Sequence, residues 1–118
     1  MMRLLKLNKV ILISLCVIFI STIGFALTYQ IKTQVVSVTT AATKLPTTPL
    51  IGRQYVSIQN VGSVTVYIGS STVTADTAST GGKQLLPYAT TTRDYDNTVD
   101  VYGIVASGSS SVIVEEGK

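Results

Sequence analysis

An uncharged run of 18 residues, positions 10–27, limits most strongly what this chain can fold into. Residues 1–9 carry three basic side chains, and a polar sequence follows the run. As a helix the run would be about 27 Å long, close to the roughly 30 Å of a bilayer's hydrocarbon core. Because basic residues stay on the cytoplasmic side, the sequence predicts residues 1–9 inside, a transmembrane helix over residues 10–27 and the rest of the chain outside.

A cleaved signal peptide is the alternative interpretation of the same segment. Gly24 and Ala26 would be the small residues at positions −3 and −1 of a processing site, and the mature chain would then begin at Leu27. The run is, however, longer than the roughly 7–15 apolar residues usual in a signal peptide. We therefore expect a retained anchor.

The charge of the chain is concentrated ahead of the apolar run. The formal net charge is +3, and the three basic residues within positions 1–9 account for all of it. The basic and acidic side chains after residue 27 therefore cancel. A neutral domain has no long-range field to attract phosphates, so nucleic acid is not an expected partner.

Composition also limits the chemistry that is open to the chain. It has no histidine, which excludes Ser-His-Asp and Cys-His nucleophile systems and removes the commonest metal ligand. The single cysteine, Cys16, lies within the apolar run, so neither a disulfide within the chain nor a cysteine-based zinc site can form. We expect a non-enzymatic protein with no catalytic, cofactor-binding or metal-binding residues.

After residue 28 the composition is that of a β-protein. Threonine and serine are abundant, valine and isoleucine recur at alternate positions, and helical periodicity is absent. Residues 29–38 predict a strand that continues outward from the membrane. Residues 39–49 contain two prolines and five threonines, which favours an extended linker or a sheet-edge connection. A compact domain is predicted over residues 50–118.

Turn residues divide this predicted domain into short strands. Residues 55–60, a turn at residues 60–63 and the alternating segment 64–68 predict a β-hairpin. Further strands are predicted at residues 73–75, 83–86 and 99–105, and in a last segment with Val112 and Val114 on one side. Six or seven such strands predict an all-β fold, a small antiparallel β-sandwich of jelly-roll or immunoglobulin-like type, with a small barrel as the alternative.

One polar segment, residues 93–100, contains side chains that could carry chemistry. Asp94, Asp96, Asn97 and Asp100 supply oxygen donors of the kind that Ca²⁺ prefers. Their spacing does not match an EF-hand loop, and the glycine which that loop needs is absent. The favoured interpretation is a turn that leads into a strand, with Asp100 facing solvent and Arg93 offsetting the negative charge. A catalytic carboxylate pair would need a cleft that the pattern does not indicate.

Five tyrosines could form a binding face for sugar or protein: Tyr55, Tyr67, Tyr88, Tyr95 and Tyr102. Tyr67 and Tyr102 fall on strand positions opposite to the predicted core, so we expect them to be partly exposed. Rows of tyrosine and threonine are also the ordinary composition of an exposed sheet face, and this is the favoured interpretation.

Residues 53–60 (RQYVSIQN), followed by VYIG at residues 66–69, resemble a pattern found in small structural proteins of bacterial viruses. The pattern continues with VYGIVASG at residues 101–108 and SVIVEE at residues 111–116. The resemblance covers about residues 52–116 and implies a β-sandwich in a virion or surface assembly, without transferring any site residue. The N-terminal apolar segment departs from the usual tailed-virus versions and favours a virus with an internal lipid membrane.

Two functions agree with these features. The first is a membrane-anchored virion component, such as a minor capsid, vertex or membrane-linking protein, which contacts lipid through residues 10–27 and other structural proteins through its β-domain. The second is a secreted or anchored filament (pilus) subunit or adhesin, in which residues 29–38 would be a free β segment that completes a neighbour's sheet. Both predict a homo- or hetero-oligomer.

Overall fold

The computed structural model describes residues 28–76, 78–79 and 81–118. The transmembrane helix predicted for residues 10–27 lies outside the described residues. Within the described ranges, no helix is long and apolar enough to cross a bilayer.

In this described part, eight strands form two four-stranded antiparallel sheets. Sheet A has the order β1-β8-β3-β6 and sheet B the order β2-β7-β4-β5. The predicted all-β fold of antiparallel sheets is confirmed. The strands are β1 (Ile31–Val38), β2 (Thr43–Leu45), β3 (Tyr55–Asn60), β4 (Val66–Gly69), β5 (Lys83–Leu85), β6 (Thr90–Arg93), β7 (Val101–Ile104) and β8 (Ser110–Gly117).

The strands pair in a nested order. β1 pairs with β8, β2 with β7, β3 with β6 and β4 with β5, as in one long hairpin rolled up from its tip. Strands that follow each other in the chain therefore lie mostly in opposite sheets. The two ends of the domain differ as a result, because β1 begins and β8 ends at the end where the chain enters from residue 28. We call this the entry end and the opposite one the far end.

The two sheets enclose a core made almost entirely of β-branched aliphatic side chains. Alternate residues of each strand point inward, as a period of two requires. Val112 and Val114, predicted on one side of the last strand, are both fully buried, and the inward valines at 101 and 105 are buried too. The buried cluster comprises Val36, Val38, Leu45, Val56, Ile58, Val66, Leu85, Val101, Val105, Val112 and Val114.

The hairpin predicted from residues 55–68 is wrong. β3 pairs with β8 and β6 in sheet A, whereas β4 pairs with β7 and β5 in sheet B, so the segment between them crosses from one sheet to the other. Val56, Ile58 and Val66 face one core from opposite sides. Alternation reports which side of a strand is buried and not which strand lies beside it, so the same pattern fits both arrangements.

The buried amide of Asn60 holds this crossing in place. Its Nδ2 donates to the carbonyl oxygens of Val64 at 2.8 Å and Leu85 at 3.0 Å. Its Oδ1 accepts from the backbone N–H of Gly62 at 3.0 Å and from the Ser110 hydroxyl at 2.7 Å. These four bonds satisfy both donors and both lone pairs of the amide, which is what its burial requires.

The compact domain begins before residue 50, the predicted boundary. All eight residues of β1 pair with β8, and β2 lies within the predicted linker and pairs with β7. Val36, Val38 and Leu45 contribute to the core. Residues 31–38 are thus not a free segment here, since they already form an edge of sheet A. The strand predicted at residues 29–38 is confirmed as β1, but Lys32 and Gln34 at its inward positions weaken the apolar alternation that would assign it to the domain.

Two further differences concern the edges of the sheets. Val73 is buried, but the predicted strand at residues 73–75 is reduced to an isolated bridge between Thr74 and Gly81. The predicted strand at residues 83–86 is confirmed as β5. β6 was not among the predicted strands, because its sequence TTTR has no apolar residue that could alternate.

We expect Asn60→Ala to lower the free energy of unfolding by about 2–4 kcal/mol, because four buried or part-buried polar groups lose their partner. Gln59→Ala is the matched control, since Gln59 is the adjacent strand residue and is not fully buried. Its effect should stay within about 0.5 kcal/mol. Urea titration of the full chain in detergent micelles, followed by circular dichroism, measures both. Equal stability of the two variants would contradict this role of Asn60.

Candidate functional site

A cleft of about 360 Å³ opens between the sheets on the side where the edge strands β5 and β6 lie. The size is within the range of ligand pockets, which is roughly 300–1,000 Å³. Its floor consists of core side chains, and its rim carries charged and aromatic ones. The lining residues are Val56, Ile58, Ile68, Gly69, Ser70, Lys83, Thr91, Arg93, Tyr95, Val99, Asp100 and Val101.

The register of the edge strands explains why the sandwich is open here. Arg93 and Thr91 of β6 lie opposite Val56 and Ile58 of β3, and residues opposite each other in an antiparallel pair point to the same face. Since the valine and isoleucine point into the core, so do Arg93 and Thr91. Lys83 likewise lies opposite Ile68. Positions that aliphatic residues would fill in a closed sandwich therefore hold a short hydroxyl side chain and two long cations.

The cleft is electropositive. Asp100, its one carboxylate, forms an ion pair with Lys44, with Nζ and Oδ1 3.0 Å apart. Arg93 and Lys83 form no ion pair with any described residue. Two uncompensated positive charges therefore stand above an apolar floor. This arrangement suits a ligand that combines an apolar group with a negative charge.

The loop of residues 94–100 forms one wall of the cleft, and buried Arg53 holds its backbone. Arg53 Nε donates to the carbonyl oxygens of Tyr95 and Asp96, each at 3.1 Å. Its Nη2 donates to the carbonyl oxygen of Val99. One guanidinium thus binds three carbonyls of the loop, which fixes the position of Tyr95 at the rim.

Arg53 is paired in turn with Glu116 of β8. Nη1 and Oε1 are 2.6 Å apart, and both side chains are fully buried. The second carboxylate oxygen of Glu116 accepts the backbone N–H of Leu50 at 2.9 Å. Because burying an ion pair is favourable only when its remaining groups are hydrogen bonded, the three carbonyls and this N–H are what stabilise the pair.

The structure does not bring the predicted polar side chains of residues 93–100 together. Asp96 accepts hydrogen bonds from the Thr98 backbone at 2.8 Å and from its hydroxyl at 2.5 Å, and these bonds hold the pKa of Asp96 below its usual value. Asn97 accepts the backbone N–H of Gly52 at 3.1 Å. Over the residues that the structure describes, no three His, Cys, Asp or Glu residues are grouped so that they could hold a metal ion.

The tyrosines do not form one common face. Tyr95 lines the cleft. Tyr67 and Tyr102 lie on the outer face of sheet B and are half-buried, with Ile104 directly opposite Tyr67. The predicted partial exposure of both is confirmed.

Tyr55 lies on the other side of the molecule, on the outer face of sheet A. Its ring packs so closely over Gly117 that a side chain there would collide with it. The Tyr55 hydroxyl donates to Glu115 at 3.2 Å. Desolvation first, and then this hydrogen bond and the charge of Glu115, raise the pKa of Tyr55. The group therefore stays a neutral donor.

Tyr88 lies at the far end in a turn formed by residues 86–89. The N–H of Ala89 donates to the carbonyl of Leu86 at 3.0 Å, and Tyr88 adopts a positive φ of 65°. That conformation is uncommon for a bulky residue and costs on the order of 1 kcal/mol. The Tyr88 N–H donates to the Asn60 carbonyl at 2.6 Å, which helps to hold it. Tyr88 as a whole is 74% exposed.

Sequence reasoning found part of this site. Arg93, Tyr95 and Asp100 stood out as polar or aromatic residues, whereas Lys83 and the pair Arg53–Glu116 were missed. Glu116 carried a usable signal, because it continues the inward alternation of Val112 and Val114 and is therefore a charge at a core position.

Comparison with known proteins finds no matching family model, no similar curated protein and no similar solved structure. The resemblance to structural proteins of bacterial viruses therefore rests on the sequence pattern alone.

Arg53→Met should lower the free energy of unfolding by about 3–5 kcal/mol, because it leaves the carboxylate of Glu116 buried without its counter-charge. The double variant Arg53→Met/Glu116→Met should be more stable than Arg53→Met, since no charge is then buried. Arg93→Met repeats the same change at an exposed position and should alter stability by less than about 0.5 kcal/mol. Urea unfolding of the full chain in micelles compares the three. A double variant less stable than Arg53→Met would contradict this account.

Proposed function

We propose that this chain is a non-enzymatic structural protein, anchored in a membrane by residues 10–27, whose β-domain binds other structural proteins. The more specific proposal is a component of a lipid-containing virion, such as a minor capsid, vertex or membrane-linking protein. The domain would lie outside the membrane and the basic residues 1–9 inside it. Its work is mechanical, since it ties a protein shell to lipid.

The strand order is the observation that carries this proposal. Two four-stranded sheets with the orders β1-β8-β3-β6 and β2-β7-β4-β5 match the jelly-roll arrangement of eight strands. We therefore favour jelly-roll over immunoglobulin-like topology. Jelly rolls are frequent in viral capsid proteins and in lectins. That likeness is an analogy at the level of the fold, because one fold hosts many functions.

The cleft supports a binding function and suggests the chemistry of the partner. Its apolar floor suits one or two aliphatic or aromatic side chains, and Lys83 and Arg93 suit a neighbouring carboxylate. Asp100, the one carboxylate of the lining, is paired with Lys44, which leaves Lys83 and Arg93 to meet the charge of a partner. An acidic protein segment that carries a bulky apolar residue fits these properties best.

Such a contact would be weak in a single copy and effective in many. The cleft is small, and association costs several kcal/mol of lost translational and rotational freedom. Copies held in one membrane next to a repeating shell would bind as a multivalent array, which raises overall affinity without any new contact. Inward-pointing charges on the edge strands β5 and β6 also disfavour the addition of another strand there.

Charge removal in the cleft tests the proposal. We expect Lys83→Gln/Arg93→Gln to reduce incorporation of the chain by about tenfold or more, as the loss of two contacts of roughly 1 kcal/mol each would do. Incorporation is measured by quantifying the chain in lipid-containing particles purified on a density gradient from the producing culture. Ser107→Glu/Ser109→Glu makes the same change in net charge on an exposed far-end loop and should incorporate normally.

Two outcomes would overturn the proposal. Both double variants could incorporate as well as the unaltered chain, which would remove the role of the cleft. The unaltered chain could also be found in cell membranes and be missing from the particles, which would remove the virion assignment.

A filament subunit that assembles by strand addition is the second candidate. The observation in its favour is that β1 is an edge strand, paired on one side only and next to the start of the domain. Filament growth would require β1 to leave its own β8 and to pair with the β8 of a neighbour.

A disulfide across β1 and β8 separates the two candidates. Ser37 and Ser111 lie directly opposite each other, so in a Cys16→Ser background the pair Ser37→Cys/Ser111→Cys should lock β1 to its own chain. We expect the locked chain to assemble as well as the single variant Ser37→Cys, because the virion proposal needs no exchange. Gradient quantification after oxidation measures this. Assembly that is lost on oxidation and regained on reduction would favour the filament.

A further inference from the structure

Three large apolar side chains are exposed at the entry end. Tyr29 is 81% exposed, Ile31 69% and Ile51 80%. Ile31 begins β1, Tyr29 lies two residues before it, and Ile51 lies in the turn that leads to β3. Exposed apolar residues are ordinary when scattered, but a group at one end of a domain marks a contact surface.

Backbone contacts bring these residues to one end of the domain. Gln30 and Lys118 exchange two backbone hydrogen bonds, both 3.1 Å long. Gly52, next to Ile51, faces Lys118, since a Cβ at Gly52 would lie 3.6 Å from the Lys118 Cδ. A shallow groove of about 210 Å³ also runs along this end. The lining residues are Tyr29, Gln30, Ile31, Gln54, Tyr55, Gly117 and Lys118.

We propose that the entry end is seated in the headgroup layer of the bilayer, with Tyr29, Ile31 and Ile51 inserted at the interface and the Lys118 ammonium among the lipid phosphates. This inference rests on the proposed anchor at residues 10–27. It adds a second membrane contact, made by the folded domain itself. A phospholipid surface offers both kinds of contact, because tyrosine rings lie at its apolar boundary and lysine ammonium groups lie beside its phosphates.

The short length of chain between the apolar run and β1 indicates that the entry end contacts lipid. Three residues, 28–30, separate the apolar run from β1. Fully extended they span roughly 10 Å at about 3.4 Å per residue. The headgroup layer takes about 5–8 Å of that distance. One packed protein layer needs about 10 Å by itself. No partner protein therefore fits between this end and the bilayer.

The chemistry of the entry end agrees with this position. Tyrosine is enriched where a membrane meets water, because its ring is apolar and its hydroxyl can form hydrogen bonds with water. Lysine reaches the same layer by extending its ammonium group away from apolar surface. Polar Gln30 and Gln54 complete the groove and can remain hydrated.

The absence of tryptophan from the chain makes a direct test available. Each introduced tryptophan is the sole indole reporter. Full-length Ile51→Trp and Tyr29→Trp are reconstituted into phosphatidylcholine vesicles with and without lipid that is spin-labelled near the headgroup. Tyr88→Trp is the control, since Tyr88 is exposed to a similar degree but lies at the far end. We expect quenching several-fold stronger at positions 51 and 29 than at 88, with a blue shift of their emission.

The outcomes distinguish this inference from the proposed function. Flotation of the vesicles first shows whether the chain is anchored, and circular dichroism shows that each variant retains its β-structure. A chain that does not float overturns the anchor and with it the proposed function. A chain that floats, with position 51 quenched no more than position 88, overturns the membrane seat alone. Tyr29→Trp provides the second reporter if Ile51→Trp does not fold.

Discussion

The buried pair of Arg53 and Glu116 is the interaction on which the rest of the structure depends. A charge pair in the core stabilises a fold only when every remaining donor and acceptor is used, and here the unused ones are taken by backbone. Three carbonyls of the loop 94–100 and the N–H of Leu50 complete the set. The turn at residues 50–53, the wall of the cleft and the end of β8 are therefore fixed together. Because Ile51 lies in that turn and Tyr95 in that wall, the proposed membrane seat and the proposed binding cleft share one rigid support.

Much of the fold could be predicted from period-two alternation. Which strands pair with each other could not be predicted in this way. The strands β3, β4, β7 and β8 each show the alternating valines and isoleucines of a half-buried strand, so their existence and their inward faces were correct. The choice of neighbour depends on contacts between residues far apart in sequence, such as Val56 with Glu116. A nested order sends consecutive strands to opposite sheets, whereas a sequence read locally favours a hairpin. The strand β1 was predicted, but its place in the domain was not, because its inward positions hold Lys32 and Gln34. β6 was missed as a strand because Thr91 and Arg93 occupy its inward positions.

The same cause made the site harder to predict than the core. A cleft between two sheets arises where inward positions lack aliphatic volume, and recognising an inward position of β6 requires its register against β3. Arg93 and Asp100 were visible as charges, but nothing local showed that one faces the core side and the other pairs with Lys44. Glu116 was the exception, because the alternation of β8 alone places it inward. A charge that continues an apolar alternation thus marks a buried partner elsewhere, which in this chain is Arg53.

The far end contains backbone strain at Tyr88, and the packing of the Tyr88 side chain does not offset it. In the turn of residues 86–89, Pro87 fixes the first corner and the second corner requires a positive φ, for which glycine is the unstrained residue. Tyr88 occupies that corner with its ring largely in solvent, so the ring adds little to the core. Asn60, which also carries the chain from sheet A to sheet B, holds the turn through its carbonyl. Glycine at position 88 would relax the turn and remove only an exposed ring.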